Sequence, residues 1–199
     1  MRVFAVAALL VAATQAVVSQ PCAQFSPAPV PLSQLPAYFP RQKTTNVAQL
    51  LDIEDIRQTL TLYAYVVDGR DFNSLSEVFA GNAIANYSAP LGVLNGSQAI
   101  VSTLTTALSQ FAGTQHLLGS QSIRLCDKDK AISTTYQRSA HFLQNSTVLP
   151  TGLTDDSAVL YAYGQYQDSW VKRDGVWKIA YRNLVYMVRR KEPEHQVRN

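Results

Sequence analysis

A carboxylate at the end of an apolar helical run is the first residue of this sequence whose position implies chemistry. In the stretch LYAYVVDGRDFNSLSEVFA, residues 62–80, Asp68 follows the apolar run and lies just before a glycine. A carboxylate in the last turn of a helix faces the negative end of the helix dipole, which costs a few tenths of a kcal/mol up to about 1 kcal/mol. We therefore interpret Asp68 as a candidate functional group; the alternatives are a capping role or an ion pair with Arg70 or Arg57.

Two of the three histidines are spaced to share one face of a sheet. If Asp127–Lys130 is a four-residue hairpin loop, Cys126 faces Ala131, and the same register sets His116 directly opposite His141. Such opposed side chains have Cβ atoms about 5 Å apart, although a single β-bulge would remove the juxtaposition. Imidazoles exchange protons near neutral pH, so the pair indicates acid–base chemistry; a hydrogen-bonded core histidine is the alternative for each.

The two cysteines, Cys22 and Cys126, predict one intramolecular disulfide in an oxidising compartment. Structural free thiols are the alternative. The sequence shows no close spacing of metal-ligating residues, so we expect neither a metal nor another cofactor.

The N-terminus has the layout of a cleavable secretory signal over residues 1–19, with Arg2 followed by an apolar run. No later stretch is apolar for the roughly 18 residues that a membrane span needs, so we expect export and no membrane contact after signal removal. Three sequons, at Asn86, Asn95 and Asn145, predict a glycoprotein.

The charge balance argues against a nucleic-acid partner. Lys and Arg number 17 against 14 Asp and Glu, and no basic stripe precedes Lys172. The basic residues gather in a polar tail, residues 189–199, where His195 is expected to be inert.

Periodicity and turn residues predict helices first and strands afterwards, an α+β pattern. A Pro-rich arm spans residues 20–45, and the domain that follows spans 46–188. In that domain Asp71 is expected to cap the second helix and Ser97 the third. The expected helices are 46–68, 72–79 and 98–108, and the expected strands are 83–87, 115–126, 131–143, 158–172 and 176–188.

The order and spacing of three motifs resemble a SnoaL-like domain of the nuclear-transport-factor-2-like superfamily. The motifs are YAYVVDGRD, TQH and DGVWKIAYR, and the resemblance covers roughly residues 46–188. It implies a curved antiparallel sheet wrapped by helices into a cone with an internal pocket. It also implies a homo-oligomer, because relatives form dimers or trimers through the outer sheet face.

The resemblance to scytalone dehydratase and lindane dehydrochlorinase also implies residue roles. Asp68 matches an aspartate that orients a sheet histidine, His116, which moves the proton. His141 matches a second pocket histidine and Tyr87 a pocket tyrosine that can hydrogen-bond a substrate carbonyl. Arg182 matches an arginine often found on the last strand.

Two departures separate this chain from those enzymes, so neither known substrate is implied. Val67 stands where scytalone dehydratase has a second tyrosine, and Tyr63 stands where the dehydrochlorinase has a lysine. We expect Tyr63, Tyr163 and Arg182 to line the substrate pocket.

These features predict a cofactor-independent lyase or cyclase that acts on a small hydrophobic secondary metabolite. The reaction is expected to be dehydratase-like acid–base chemistry or a cyclisation templated by the pocket, including a pericyclic one. The alternative is a secreted module that binds a small molecule or supports assembly without catalysis.

Overall fold

The structure is a computed structural model of the 199-residue chain. It describes residues 22–25, 28–41, 46–146, 152 and 156–187. The expected signal segment and the polar tail lie outside the described residues, and the Pro-rich arm is described in part.

The described residues form four α-helices, three short 3₁₀ helices and six strands, and the α+β prediction is confirmed. The strands make one curved sheet in the order β2-β1-β6-β5-β4-β3, in which β1 runs parallel to β6 and the other neighbours are antiparallel. The helices are α1 (Leu35–Tyr38), α2 (Val47–Asp68), α3 (Leu75–Val78) and α4 (Ser97–Leu108). The strands are β1 (Phe79–Asn86), β2 (Val93–Asn95), β3 (Phe111–Leu125), β4 (Lys130–Leu143), β5 (Val159–Arg173) and β6 (Val176–Tyr186).

Helix α2 carries the candidate carboxylate and ends on it, as predicted. Asn46 caps its start, since the Asn46 side chain accepts a hydrogen bond from the Gln49 backbone N–H at 2.9 Å. The apolar stripe, however, is only partly buried: Val47 and Leu50 are exposed, and the buried face begins at Ile56. The packed second half of α2 therefore fixes its C-terminal end against the sheet.

Of the two predicted helix caps, only one residue occupies the cap position. Asp71 is the N-cap residue of the 3₁₀ turn Phe72–Ser74 that precedes α3, but its side chain caps no backbone N–H and instead accepts a hydrogen bond from the Ser74 hydroxyl. Ser97 is the first residue of α4, and Gly96 occupies the cap position with φ of 85°. The glycine takes the left-handed conformation that a serine would adopt only with strain.

The β3–β4 hairpin is tighter than predicted. Leu125, and not Cys126, pairs with Ala131, because the Cys126 backbone N–H donates to the Lys130 carbonyl at 2.8 Å and closes the turn early. A further register shift lies between Leu118 and Gln121 on β3. Each irregularity moves the pairing by one residue.

The prediction that His116 and His141 pair directly across the two strands is therefore wrong, but both side chains lie on the same face of the sheet. His116 pairs with Ser139, and His141 pairs with Thr114. One shift alone would put the histidines on opposite faces, whereas two shifts restore the face and make the histidines diagonal neighbours.

The two sheet faces have different coverings. The inner face, which carries His116, His141, Asp168 and Arg182, packs against α2 and the main core. The outer face, which carries Tyr163 and Gln167 among others, is partly covered by the N-terminal arm in a second apolar cluster that includes Phe25, Leu35 and Tyr181. The site residues thus lie on the inner face, and the arm lies behind them.

The arm is attached to the outer face by polar contacts and one covalent bond. The Val30 backbone N–H donates to the Gln167 amide oxygen at 2.9 Å, and the Gln167 amide nitrogen donates to the Val30 carbonyl at 2.8 Å. Cys22 and Cys126 form the predicted disulfide. Within the described ranges, no helix is long and apolar enough to cross a membrane.

Candidate functional site

The last residue of α2 and the middle of β3 meet in a compact hydrogen-bonded group. Asp68 Oδ1 lies 2.7 Å from His116 Nδ1, and Asp68 Oδ2 accepts the His116 backbone N–H at 2.7 Å. The Thr114 hydroxyl donates to Asp68 Oδ1 at 2.9 Å. His116 is therefore held through both its ring Nδ1 atom and its backbone N–H, and its side chain is only 7 % exposed.

These contacts explain how a carboxylate is tolerated at the negative end of a helix. Burial raises the pKa of Asp68, but the hydrogen bonds from His116 and Thr114 and the charge of His116 lower it more, so that the net pKa lies below its usual value. Asp68 is consequently ionised at neutral pH. The alternative pairings are not seen, since Arg57 pairs with Glu54.

His141 lies beside this group on the next strand. Its ring centroid is 6.1 Å from that of His116 and 4.8 Å from that of Phe111. Burial, followed by the charge of His116, lowers the pKa of His141. The two imidazoles therefore lie in different environments near neutral pH. His116 is hydrogen-bonded to a carboxylate, whereas the lowered pKa of His141 favours its neutral form.

The lowered pKa of His141 predicts acid sensitivity of the fold. A group whose folded-state pKa lies below its unfolded value favours folding above the unfolded pKa, and this contribution is lost as pH falls. We expect the free energy of unfolding to decline as pH drops below about 6.5, and to decline less steeply in His141→Gln. Urea unfolding of both proteins between about pH 7 and pH 5 measures this; parallel curves would contradict it.

Two buried tyrosines continue the site inward from His116. The Tyr63 and Tyr87 hydroxyl oxygens are 3.3 Å apart, and the Tyr63 ring packs edge-on to the His116 ring at 6.2 Å between centroids. Burial, reinforced by Tyr63, raises the pKa of Tyr87 well above its usual value. Tyr87 is thus a neutral phenol that can donate a hydrogen bond to a carbonyl oxygen.

Behind the tyrosines lies a buried ion pair. Arg182 donates two hydrogen bonds to Asp168, at 2.7 and 2.9 Å, and neither side chain is exposed to solvent. The guanidinium carbon lies 4.3 Å from the Tyr63 ring centroid and 4.0 Å from the Tyr166 ring centroid. Arg182 Nη1 is buried and has no hydrogen-bond partner among the described residues.

Sequence reasoning missed Asp168 and Thr114. A signal for Asp168 was present, because a single acidic residue inside the strand YGQYQDSW must be paired if the strand is central. Thr114 gave no signal, since its role depends on the β3 position that meets the end of α2.

Tyr163 is not brought to the site. It lies on the outer face, 48 % exposed, where the guanidinium of Arg138 stacks over it and over Tyr161. Side chains alternate along β5, and Tyr163 is an odd number of residues from Tyr166 on the inner face, so the two must point apart.

The three sequons lie at strand ends. Asn95 and Asn145 are exposed, whereas Asn86 is partly buried and its side-chain oxygen accepts the Ser88 backbone N–H at 2.9 Å. Tyr87 is buried and so points away from the surface at Asn86. Glycosylation at these positions stays a prediction.

The described surface depressions do not coincide with the Asp68–His116 group. They lie along the outer face, and the most voluminous, of about 740 Å³, lies between the arm residue Pro29 and the ends of β5 and β6. Tyr161, Tyr163, Val185 and Tyr186 contribute to its lining.

The chain belongs to the SnoaL-like domain family, which it matches over residues 48–183. Among curated proteins, it is 29% identical over 134 residues to an uncharacterized protein of Mycobacterium tuberculosis, an alignment that covers 67% of this chain and 84% of that protein. The predicted family is thereby confirmed.

Solved structures show the same fold. A protein from Novosphingobium aromaticivorans named as a candidate scytalone dehydratase has a TM-score of 0.59 at 24% identity, over 75% of this chain and 97% of that one. A type 3 hexachlorocyclohexane dehydrochlorinase from Novosphingobium barchaimii has a TM-score of 0.59 at 15% identity, over 72% and 92%. A nuclear transport factor 2-like protein from Salmonella enterica has a TM-score of 0.56 at 16% identity, over 71% and 94%. The cone-like fold is the feature these proteins share with the chain.

Proposed function

We propose that this protein is a cofactor-independent lyase or cyclase in which His116, oriented by Asp68, moves a proton on a small hydrophobic secondary metabolite. Membership of a family whose fold is shared with a dehydrochlorinase and a candidate dehydratase supports a lyase-like role.

The contact between Asp68 and the Nδ1 atom of His116 carries the proposal. Because the ionised carboxylate accepts a hydrogen, the proton of a neutral imidazole resides on Nδ1, and Nε2 is left with its lone pair. No described residue hydrogen-bonds to Nε2. His116 Nε2 is thus a base, and Asp68 stabilises the imidazolium that forms when it takes a proton.

The neighbouring groups fit the remaining steps of an elimination. When His116 removes a proton beside a carbonyl, negative charge moves to the carbonyl oxygen, and the hydroxyl of Tyr87 or of its partner Tyr63 can donate to that oxygen. Expulsion of a leaving group on the next carbon then forms the double bond, and the imidazolium of His116 gives its proton to the departing group. His141, on the next strand, assists this departure as a hydrogen-bonding partner. A cyclisation templated by the site would need these residues to orient the substrate and would need less proton transfer.

One observation favours the second candidate, a module that binds or assembles without catalysis. The outer face carries the 740 Å³ depression and exposed apolar side chains, among them Leu117, Tyr136 and Tyr163. Exposed apolar patches of this kind are typical of interaction surfaces. Self-association through this face, into a homodimer or homotrimer, is part of the proposal under either function.

The proposal includes passage through the secretory pathway. The disulfide between Cys22 and Cys126 is compatible with an oxidising compartment. Export with cleavage near residue 19 is expected, and N-terminal sequencing of the secreted protein tests it.

The experiment that separates the two functions uses the purified protein and a low-molecular-weight metabolite extract in D₂O. A lyase or cyclase converts at least one compound into a product that has lost a leaving group or closed a ring, or incorporates deuterium beside a carbonyl. Mass spectrometry detects each change. Recovery of a bound compound without any conversion would instead establish the binding module.

A further inference from the structure

A positively charged side chain lies on the His141 side of the candidate site and has no counter-ion among the described residues. Arg70 follows Asp68 by two residues, in the turn after α2. Its Nη1 atom is buried and has no hydrogen-bond partner among the described residues. Its Nη2 atom donates to the Phe111 carbonyl at 3.4 Å, beyond the usual range for such a bond.

The neighbours of the guanidinium place it near His141. Nη2 lies 3.4 Å from the Phe111 carbonyl oxygen, and the Phe111 ring packs on the His141 ring at 4.8 Å between centroids. The Arg70 charge is among the influences that lower the pKa of His141, after burial and the charge of His116. Arg70 thus lies on the His141 side of the candidate site.

The described carboxylates do not neutralise Arg70. Asp68 is committed to His116 and Thr114, and the ion pairs of the described chain involve other cations. A partly buried cation without a counter-ion loses hydration without gaining a partner. An anion that entered the site would supply that partner.

The backbone at Arg70 is strained, which is the second sign that its placement is imposed by the surroundings. Its φ is 63°, in the left-handed region that costs a side-chain-bearing residue about 1 to 2 kcal/mol. Gly69, directly before it, has an ordinary φ of −79°. The strained turn determines the direction in which the Arg70 side chain leaves the backbone.

We infer that Arg70 Nη1 is the substrate-anchoring donor of this site, and that the metabolite carries an acidic oxygen, a carboxylate or a phenolate, next to its apolar body. This inference rests on the proposed function, because it assigns the acidic group to the compound on which His116 acts. The apolar body lies against Phe111 and Tyr63, and the acidic oxygen accepts a charge-assisted hydrogen bond from Arg70.

Binding of two aromatic probes to the full chain tests the inference without requiring turnover. Benzoate and benzamide have nearly the same shape and differ in charge. Nuclear magnetic resonance of the histidine ring protons reports binding at the site. We expect benzoate to bind the wild-type protein more tightly than benzamide and to shift the signals of His116 and His141.

The variants isolate the charge of Arg70. Arg70→Gln should weaken benzoate about ten- to a hundredfold and leave benzamide nearly unchanged, because a hydrogen bond to a charged group is lost. Arg70→Lys keeps the charge and should keep the preference. Arg57→Gln removes an exposed arginine of α2 and should change neither affinity. Glutamine and arginine have similar backbone preferences, and the circular dichroism spectrum verifies that each variant is folded.

Each outcome decides the inference. An unchanged benzoate preference in Arg70→Gln overturns it, and so does benzoate that fails to shift either histidine at millimolar concentration. Loss of the preference in Arg70→Gln together with an inactive wild-type protein supports the anion site and refutes the proposed catalysis. Turnover that depends on His116, with no benzoate preference, refutes only the role of Arg70.

Discussion

His116→Gln is expected to reduce turnover of the metabolite by about 10²- to 10⁴-fold, the usual contribution of a general base. Glutamine can still donate an amide hydrogen to Asp68, so the contacts around the carboxylate are largely kept. It has no lone-pair nitrogen of imidazole basicity, so proton removal is lost. Asp68→Asn should cost a smaller factor, on the order of 10², because the imidazole loses its orienting charge.

The control for this prediction is the neighbouring residue Gln115, which is exposed and points to the other sheet face. Gln115→Ala should keep wild-type turnover. Steady-state rates at several pH values, measured on the compound that the extract experiment identifies, provide the comparison. Retention of more than about a tenth of the wild-type rate in His116→Gln would remove His116 from the mechanism.

Asp168→Asn is expected to lower the free energy of unfolding by about 3 to 5 kcal/mol. Asp168 and Arg182 are both fully buried, and the two hydrogen bonds between them are the charge compensation of the pair. Removing the carboxylate's charge leaves a guanidinium buried against Tyr63 and Tyr166 without a counter-ion. Urea unfolding of the disulfide-bonded protein measures the change.

A partly exposed ion pair is the matched control. Glu77 and Lys178 are 3.6 Å apart, and the Glu77 side chain is 66% exposed. Glu77→Gln should cost no more than about 1 kcal/mol. The double variant Asp168→Leu with Arg182→Met should recover much of the loss, because apolar side chains of similar volume replace both charges. Equal costs for Asp168→Asn and Glu77→Gln would show that the buried pair is not required for stability.

Local patterns alone predicted the elements that position the site. The three- and four-residue spacing of apolar residues defined α2 and its end at Asp68, and the β-branched and aromatic runs separated by turn residues defined the four long strands. The isolated pair of cysteines predicted the disulfide. The helix and the strands are encoded by residues close to one another in sequence, and the disulfide follows from the number of cysteines. Neither prediction needs knowledge of packing.

Register was decided only in the folded chain. The turn before Lys130 closes one residue early and the strand shifts once more near Gly119, so His116 and His141 became diagonal neighbours instead of a direct pair. Because the side-chain period of a strand is two, such single-residue events determine which groups meet, and the sequence of one hairpin does not reveal them.

The sequence by itself determined the family, the α+β order of elements and the candidate groups Asp68, His116, His141, Tyr87 and Arg182. The tertiary structure decided which of these lie close together, that Asp168 balances Arg182, that Tyr163 faces the other side of the sheet, and that Arg70 has no counter-ion among the described residues. The physical reason is that element type follows from local propensity and periodicity, whereas pairing and burial of charges depend on residues brought together from distant parts of the chain.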